Sequence, residues 1–214
     1  YDVTNVDGHN LLVGLTDMNY LKKQGINGPI WALIAFDSHD YEIPTAIGDA
    51  DQVTRDKLVE YILDVQLPSG GWNLEYTEAG KTADPDMTAM AIQALAPYYG
   101  TNNDVKDAVD KALTVLSEKQ QKDGGFATFG TANSESSSQV LVALTALGID
   151  PTTDSRFIKD GNSVVDALCS YYVDGGGFKH VADGERNGMA TEQGYYALAS
   201  YFRFVNDKTS LYDM

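Results

Sequence analysis

The chain has 214 residues, 43% hydrophobic and 21% charged, which suits one globular domain with a substantial core and excludes a disordered or fibrous chain. Fifteen basic against 31 acidic residues leave a formal charge of −16, a field that repels phosphate backbones and anionic headgroups, so nucleic acid is excluded as a partner class. One cysteine, Cys169, rules out an internal disulfide and a multi-cysteine cage, and His9, His39 and His180 show no ligand spacing, so neither metal nor cofactor is expected.

No apolar stretch approaches the roughly 18 to 20 residues that span a bilayer, so membrane insertion is not expected. The chain opens at Tyr1 with no basic segment followed by an apolar one. Residues 1–214 are read as a single domain excised from a larger protein, with any targeting signal outside it.

Along the chain two kinds of helical segment alternate. An amphipathic helix is expected at residues 11–21, 53–65, 105–116 and 164–172, and each is followed by a more apolar one, at 30–36, 87–96, 140–147 and 194–205. In the third pair, Val105, Ala108, Val109, Ala112, Leu113 and Leu116 form an apolar stripe opposite Lys106, Asp107, Asp110 and Lys111. By contrast, 87–96 (MTAMAIQALA) and 140–147 (VLVALTAL) are apolar nearly all round, as interior helices must be. The joints repeat as well: Gln66-Leu-Pro-Ser-Gly-Gly-Trp72, Gln120-Gln-Lys-Asp-Gly-Gly-Phe126 and Tyr172-Val-Asp-Gly-Gly-Gly-Phe178. Their aromatics fall 54 and then 52 residues apart and should anchor each joint on the core. Asp84, Asn133 and Asn187 stand in one register before the interior helices and are expected to cap them, with Pro85 at a first helical position. No long run alternates apolar and polar residues, so the fold class is all-α: four helical hairpins, inner helices parallel to one another and backed by an antiparallel outer layer.

These joints and interior helices resemble the α/α-toroid superfamily of terpene cyclases and protein prenyltransferase β-subunits, and Gln120-Gln-Lys-Asp-Gly-Gly-Phe126 is similar to the squalene-cyclase repeat motif. More closely, the segments from Asp84 to Tyr98 and from Asn133 to Gly148 resemble the prenyltransferase/squalene-oxidase-repeat domains of surface proteins from gut Gram-positive bacteria. The helical barrel of cobalamin carriers is a more distant likeness. The resemblance implies a partial α/α toroid of about four hairpins where a complete ring has about six. It also implies an extracellular or cell-surface location among other modules, and a binding or adhesion role with no assigned catalysis.

Asp84-Pro-Asp-Met-Thr-Ala89 is similar to the acid motif of class II terpene cyclases, with Asp86 at the proton donor's position and Met87 in place of the last aspartate. A helix start favours the ionised carboxylate, so the expected role of Asp84 and Asp86 is to cap the helix and shape its mouth. The alternative is a cyclase-like enzyme acting on an isoprenoid with Asp86 as general acid, and corrinoid binding is a third reading. Cys169 is expected to be a small buried hydrophobe rather than the partner of His180 in a catalytic dyad. The acidic loops at 37–40, 49–51 and 183–185 match no twelve-residue calcium loop and read as solvated carboxylates.

If the inner helices run the same way, their N-termini share one end. That end would gather Tyr76, Asp84, Asp86, Ser134, Glu135, Ser138, Gln139, His180, Thr191 and Glu192 into a polar, acidic mouth. Such a mouth suits an unidentified neutral or cationic small molecule, or a peptide.

Overall fold

Helix starts here carry their own instructions. Asp84, Asn133 and Asn187 each have extended backbone, and their side chains accept the N–H of Met87, Ser136 and Ala190 respectively. In the computed structural model, which describes residues 2–74 and 82–213, the helices that follow are α4 (Pro85–Leu95), α6 (Ser134–Ala146) and α8 (Gly188–Val205). Preceding elements are α1 (Met18–Leu21) and α2 (Asn27–Asp37), and the amphipathic partners are α3 (Arg55–Asp64), α5 (Asn103–Lys119) and α7 (Val164–Ser170).

Packing follows the apolar pattern. Helix α6 lies between α4 and α8, and α4 also packs on α2, so α2, α4, α6 and α8 form a row. α3 packs on α2, α5 on α4 and α7 on α6. Side chains from Ser134 through Thr145 in α6 are buried, and in α4 so are all from Met87 to Leu95 except the part-buried Met90. Helix α5 buries the stripe its sequence announces, with Val115 added. Two side-chain links, Gln139 to Gln193 and Thr145 to Ser200, advance along α6 and α8 together, so these helices are parallel.

The joints fold alike. In each, the first residue after the leading Gln or Tyr donates to the glycine four positions on: Leu67 N to Gly71 O, Gln121 N to Gly125 O, and Val173 N to Gly177 O, each 2.9 Å. Gln66 and Gln120 also reach from their joint to the next outer segment, at Ala108 O and Phe157 O. Gly124 has φ +84°, and a Cβ there would sit 2.2 Å from Ser163 O, so only glycine fits. Trp72, Phe126 and Phe178 are fully buried. Each contributes on the order of 1.5–3 kcal/mol or more of burial, which holds the joint against the core.

Three expectations need correction. Residues 11–21 form a 3-10 turn (Leu11–Leu15) and then α1 rather than one helix. The break is at Thr16-Asp17, where Thr16 O accepts Val53 N, Met18 N donates to Asp51 O, and Asp17 caps Asn19 N. The fold is helix-dominated, as expected, but it carries two short hairpins that were not expected. Antiparallel hairpins β1 (Phe126–Thr128) with β2 (Thr131–Asn133), and β3 (Phe178–Lys179) with β4 (Arg186–Asn187), link the second and third joints to their helix caps. Strands of two or three residues are too short to show alternation in sequence. Finally, α8 begins at Gly188 and not at 194, directly after its cap. It is buried mainly along Ala190, Gly194, Ala197 and Ser200, with Met189, Tyr195, Phe202 and Val205 exposed.

Candidate functional site

The N-terminal ends of α4 and α6 bring a carboxyl pair together. Asp84 is the cap of α4, and Pro85 takes the first helical position, where no N–H is needed. Asp86 follows one residue inside. Its Oδ1 is buried and has no hydrogen-bond partner. Burial pushes its pKa up to about 6; the Ser136 hydroxyl pulls it down, the Asp84 charge pushes it up, the Thr128 hydroxyl pulls it down and the Glu135 charge pushes it up. This is opposite to the lowering that a helix N-terminus favours. Desolvation outweighs the macrodipole here because the carboxyl is enclosed by α6 and β1 rather than left in water.

Glu135, in the first turn of α6, is 8% exposed and pairs with His180, whose Nδ1 lies 2.8 Å from Glu135 Oε2. Ser134 fixes this arrangement from beneath. Its N–H donates to His180 O and its hydroxyl to Lys179 O, which fastens the segment after β3 to the start of α6. The His180 side chain is half exposed, so the pair faces outward while its acid is covered. Among the predicted residues, Asp86, Glu135 and His180 therefore form the chemically open part of the mouth.

Others have duties inside the fold. Ser138 donates to Ser134 O along its own helix. Thr191 accepts the Phe178 N–H at 3.0 Å, as Thr88 accepts that of Trp72, so this hydroxyl secures a joint aromatic. Gln139 is buried, and both ends of its amide are spent. It accepts from Gln93 Nε2 and donates to Gln193 Oε1 and the Tyr196 hydroxyl, forming a polar belt across α4, α6 and α8. Glu192 is exposed on α8, and its charge raises the pKa of Tyr196 and Tyr212 alongside their burial. Tyr76 lies outside the described residues.

Sequence reading missed Thr128, Ser136, Gln93, Gln193 and Tyr196. One signal was available: Ser134-Glu-Ser-Ser-Ser-Gln139 puts six polar residues at the start of a helix that is otherwise apolar all round, and all six are buried. Cys169 departs from expectation. It is exposed on α7, and partial desolvation with the nearby Asp166 charge raises its thiol pKa, the reverse of an activated nucleophile. Among the described residues, no three or more His, Cys, Asp or Glu side chains gather as a metal site. Nor is any described helix long and apolar enough to cross a membrane.

No family model matches the chain, and no curated protein does either. Chemistry must therefore be read from the residues themselves. A carboxyl with an unsatisfied buried oxygen, beside a second covered carboxylate, is equipped to take a hydrogen-bond donor or a cation, because an unpaired buried acceptor costs roughly 1–3 kcal/mol until something donates to it.

Proposed function

We propose that the chain is a non-catalytic ligand-binding or adhesion module of a bacterial surface protein, built as a partial α/α toroid with its recognition mouth at the N-terminal ends of the inner helices. The observation that carries this reading is the buried, partner-free Oδ1 of Asp86 next to the Glu135–His180 pair. The packing order of α2, α4, α6 and α8 and the repeated joints support the toroid. The resemblance to repeat domains of surface proteins supports the extracellular setting and neighbouring modules. The ligand class is a small molecule or peptide that presents an ammonium or amide donor.

A second reading has one observation in its favour. An Asp86 pKa raised to about 6 moves this side chain toward the protonated state that a class II cyclase-like acid requires. At neutral pH, however, such a group is still mostly ionised, and Met87 occupies the place of the last aspartate of that motif. Two assays separate the readings. The chain should give no cyclised product from squalene or polyprenyl diphosphates, and it should bind spermidine or a tetralysine peptide at pH 7.5. Reproducible product that disappears in Asp86→Asn would overturn the binding reading.

A further inference from the structure

Helix α8 ends the row of inner helices with a bare apolar face. Caps Asn133 and Asn187 start α6 and α8, so Tyr195 and Ala199 stand in α8 where Leu141 and Thr145 stand in α6. In α6 that face is an interface: Leu141 and Thr145 are buried, and the Thr145 hydroxyl meets that of Ser200 on α8. In α8 no described residue covers the equivalent face. Met189, Glu192, Tyr195, Ala199, Phe202 and Val205 follow one another at steps of three and four as one exposed stripe, and Met189, Tyr195 and Phe202 are 63%, 48% and 59% exposed. Single exposed apolar side chains are ordinary, but a stripe along a helix of 18 residues, about 27 Å, marks a contact surface. Its central ring is already fixed. The Tyr195 hydroxyl accepts the Gly177 N–H at 3.2 Å, and the ring stands edge-on to Phe178, so docking against it costs little conformational freedom.

The two ends of the row differ, which decides what can cover this face. At the other end α1 packs on α2, and the one exposed side chain of α2, Trp31, meets Tyr212. A single bare end does not support head-to-tail addition of copies. It supports pairing with the same face of a second copy, through a two-fold axis that stops at two. The stripe also fits itself when turned end for end. About an axis level with Ala197, Met189 comes opposite the partner's Val205, Tyr195 opposite the partner's Ala199, and Glu192 opposite the partner's Phe202. The fixed ring thus meets the smallest residue of the stripe, and its only charged residue does not face its own copy.

We propose that the chain forms an isologous dimer through antiparallel α8 helices, with each Tyr195 seated against the partner's Ala199. A formal charge of −16 makes copies repel over most of their surface, so pairing selects a face poor in charge and strengthens as salt screens the rest. One helix face per copy is small beside the roughly 800 Å² per partner of a standard interface, so half-dissociation falls in the micromolar range.

Sedimentation velocity of the full chain, over roughly 5 to 500 µM, tests this. The mass should rise from one chain toward two, with at least threefold tighter association in 0.3 M than in 0.05 M sodium chloride. Phe202→Glu should stay monomeric throughout. Phe129→Glu makes the same change at an exposed residue of the first hairpin turn and should leave the association within about threefold of the parent. Ala199→Phe adds apolar surface but removes the room for the partner's Tyr195, so it should weaken pairing at least tenfold, with helicity by circular dichroism unchanged. A parent chain that stays monomeric, which leaves the face to a module of another sequence, would overturn the proposal. So would a mass beyond two chains, indifference to Phe202→Glu, or tighter association in Ala199→Phe.

Discussion

A carboxyl whose pKa rises on folding destabilises the fold wherever it is ionised. For Asp86 the rise runs from 3.8 to about 6, so the folded state holds the extra proton between those values. Stability from this group is complete below about pH 3.8, falls as pH rises, and is lost by about pH 6, which amounts to roughly 2–3 kcal/mol at neutral pH. Asp86→Asn should therefore raise stability by about 1–3 kcal/mol at pH 7.5 and change it little at pH 3.5, measured by urea denaturation at both values. A destabilised variant at pH 7.5 would mean that the carboxylate is satisfied. Asp84 is the opposite case on the same turn. Its side chain accepts the Met87 N–H, and Asp84→Ala should cost about 0.5–2 kcal/mol. Neighbouring acids of one motif thus separate into a helix cap and a desolvated carboxyl, a division that their spacing alone does not reveal.

Among the elements, what the sequence made legible is what local rules control. The caps Asp84, Asn133 and Asn187, the stripe of α5 and the three glycine–aromatic joints follow from side-chain chemistry acting within a few residues. Residues 11–21 were misread because the competing partner of Thr16 and Met18 is the segment at 51–53, far away in sequence. The hairpins before α6 and α8 were missed for a different reason: each is only long enough to return the chain from joint aromatic to helix cap, pairing Phe126 with Asn133 and Phe178 with Asn187. The joints offer a sharp test of this scale. Gly124→Ala would force a left-handed φ on alanine and push its Cβ into Ser163 O, so a loss of more than about 2 kcal/mol is expected. Gly130, also with positive φ but with open space around its Cβ position, should lose less when replaced in the same way.

Across the molecule, α4 and α6 are the scaffold on which the mouth depends. Their amides should be the slowest to exchange with deuterium, slower than those of α5 with its wet face, and the broken segment at 11–21 should exchange early. The mouth itself was partly legible. Parallel inner helices place Asp86, Glu135 and His180 at one end, but their chemistry arises from three elements meeting, and the burial that raises the Asp86 pKa is a property of packing rather than of spacing. The same burial gives the proposed cation binding a pH dependence in one direction: protonating Asp86 removes the charge proposed to receive the cation, so affinity should fall by up to tenfold for each pH unit below about 6. Calorimetric titration of spermidine into the parent chain and Asp86→Asn, from pH 7.5 to pH 4.5, tests the central claim most directly. The account predicts binding at pH 7.5 that fades through about pH 6 and is at least tenfold weaker in Asp86→Asn at pH 7.5. Affinity that is equal in the two proteins, or unchanged across that pH range, would contradict it.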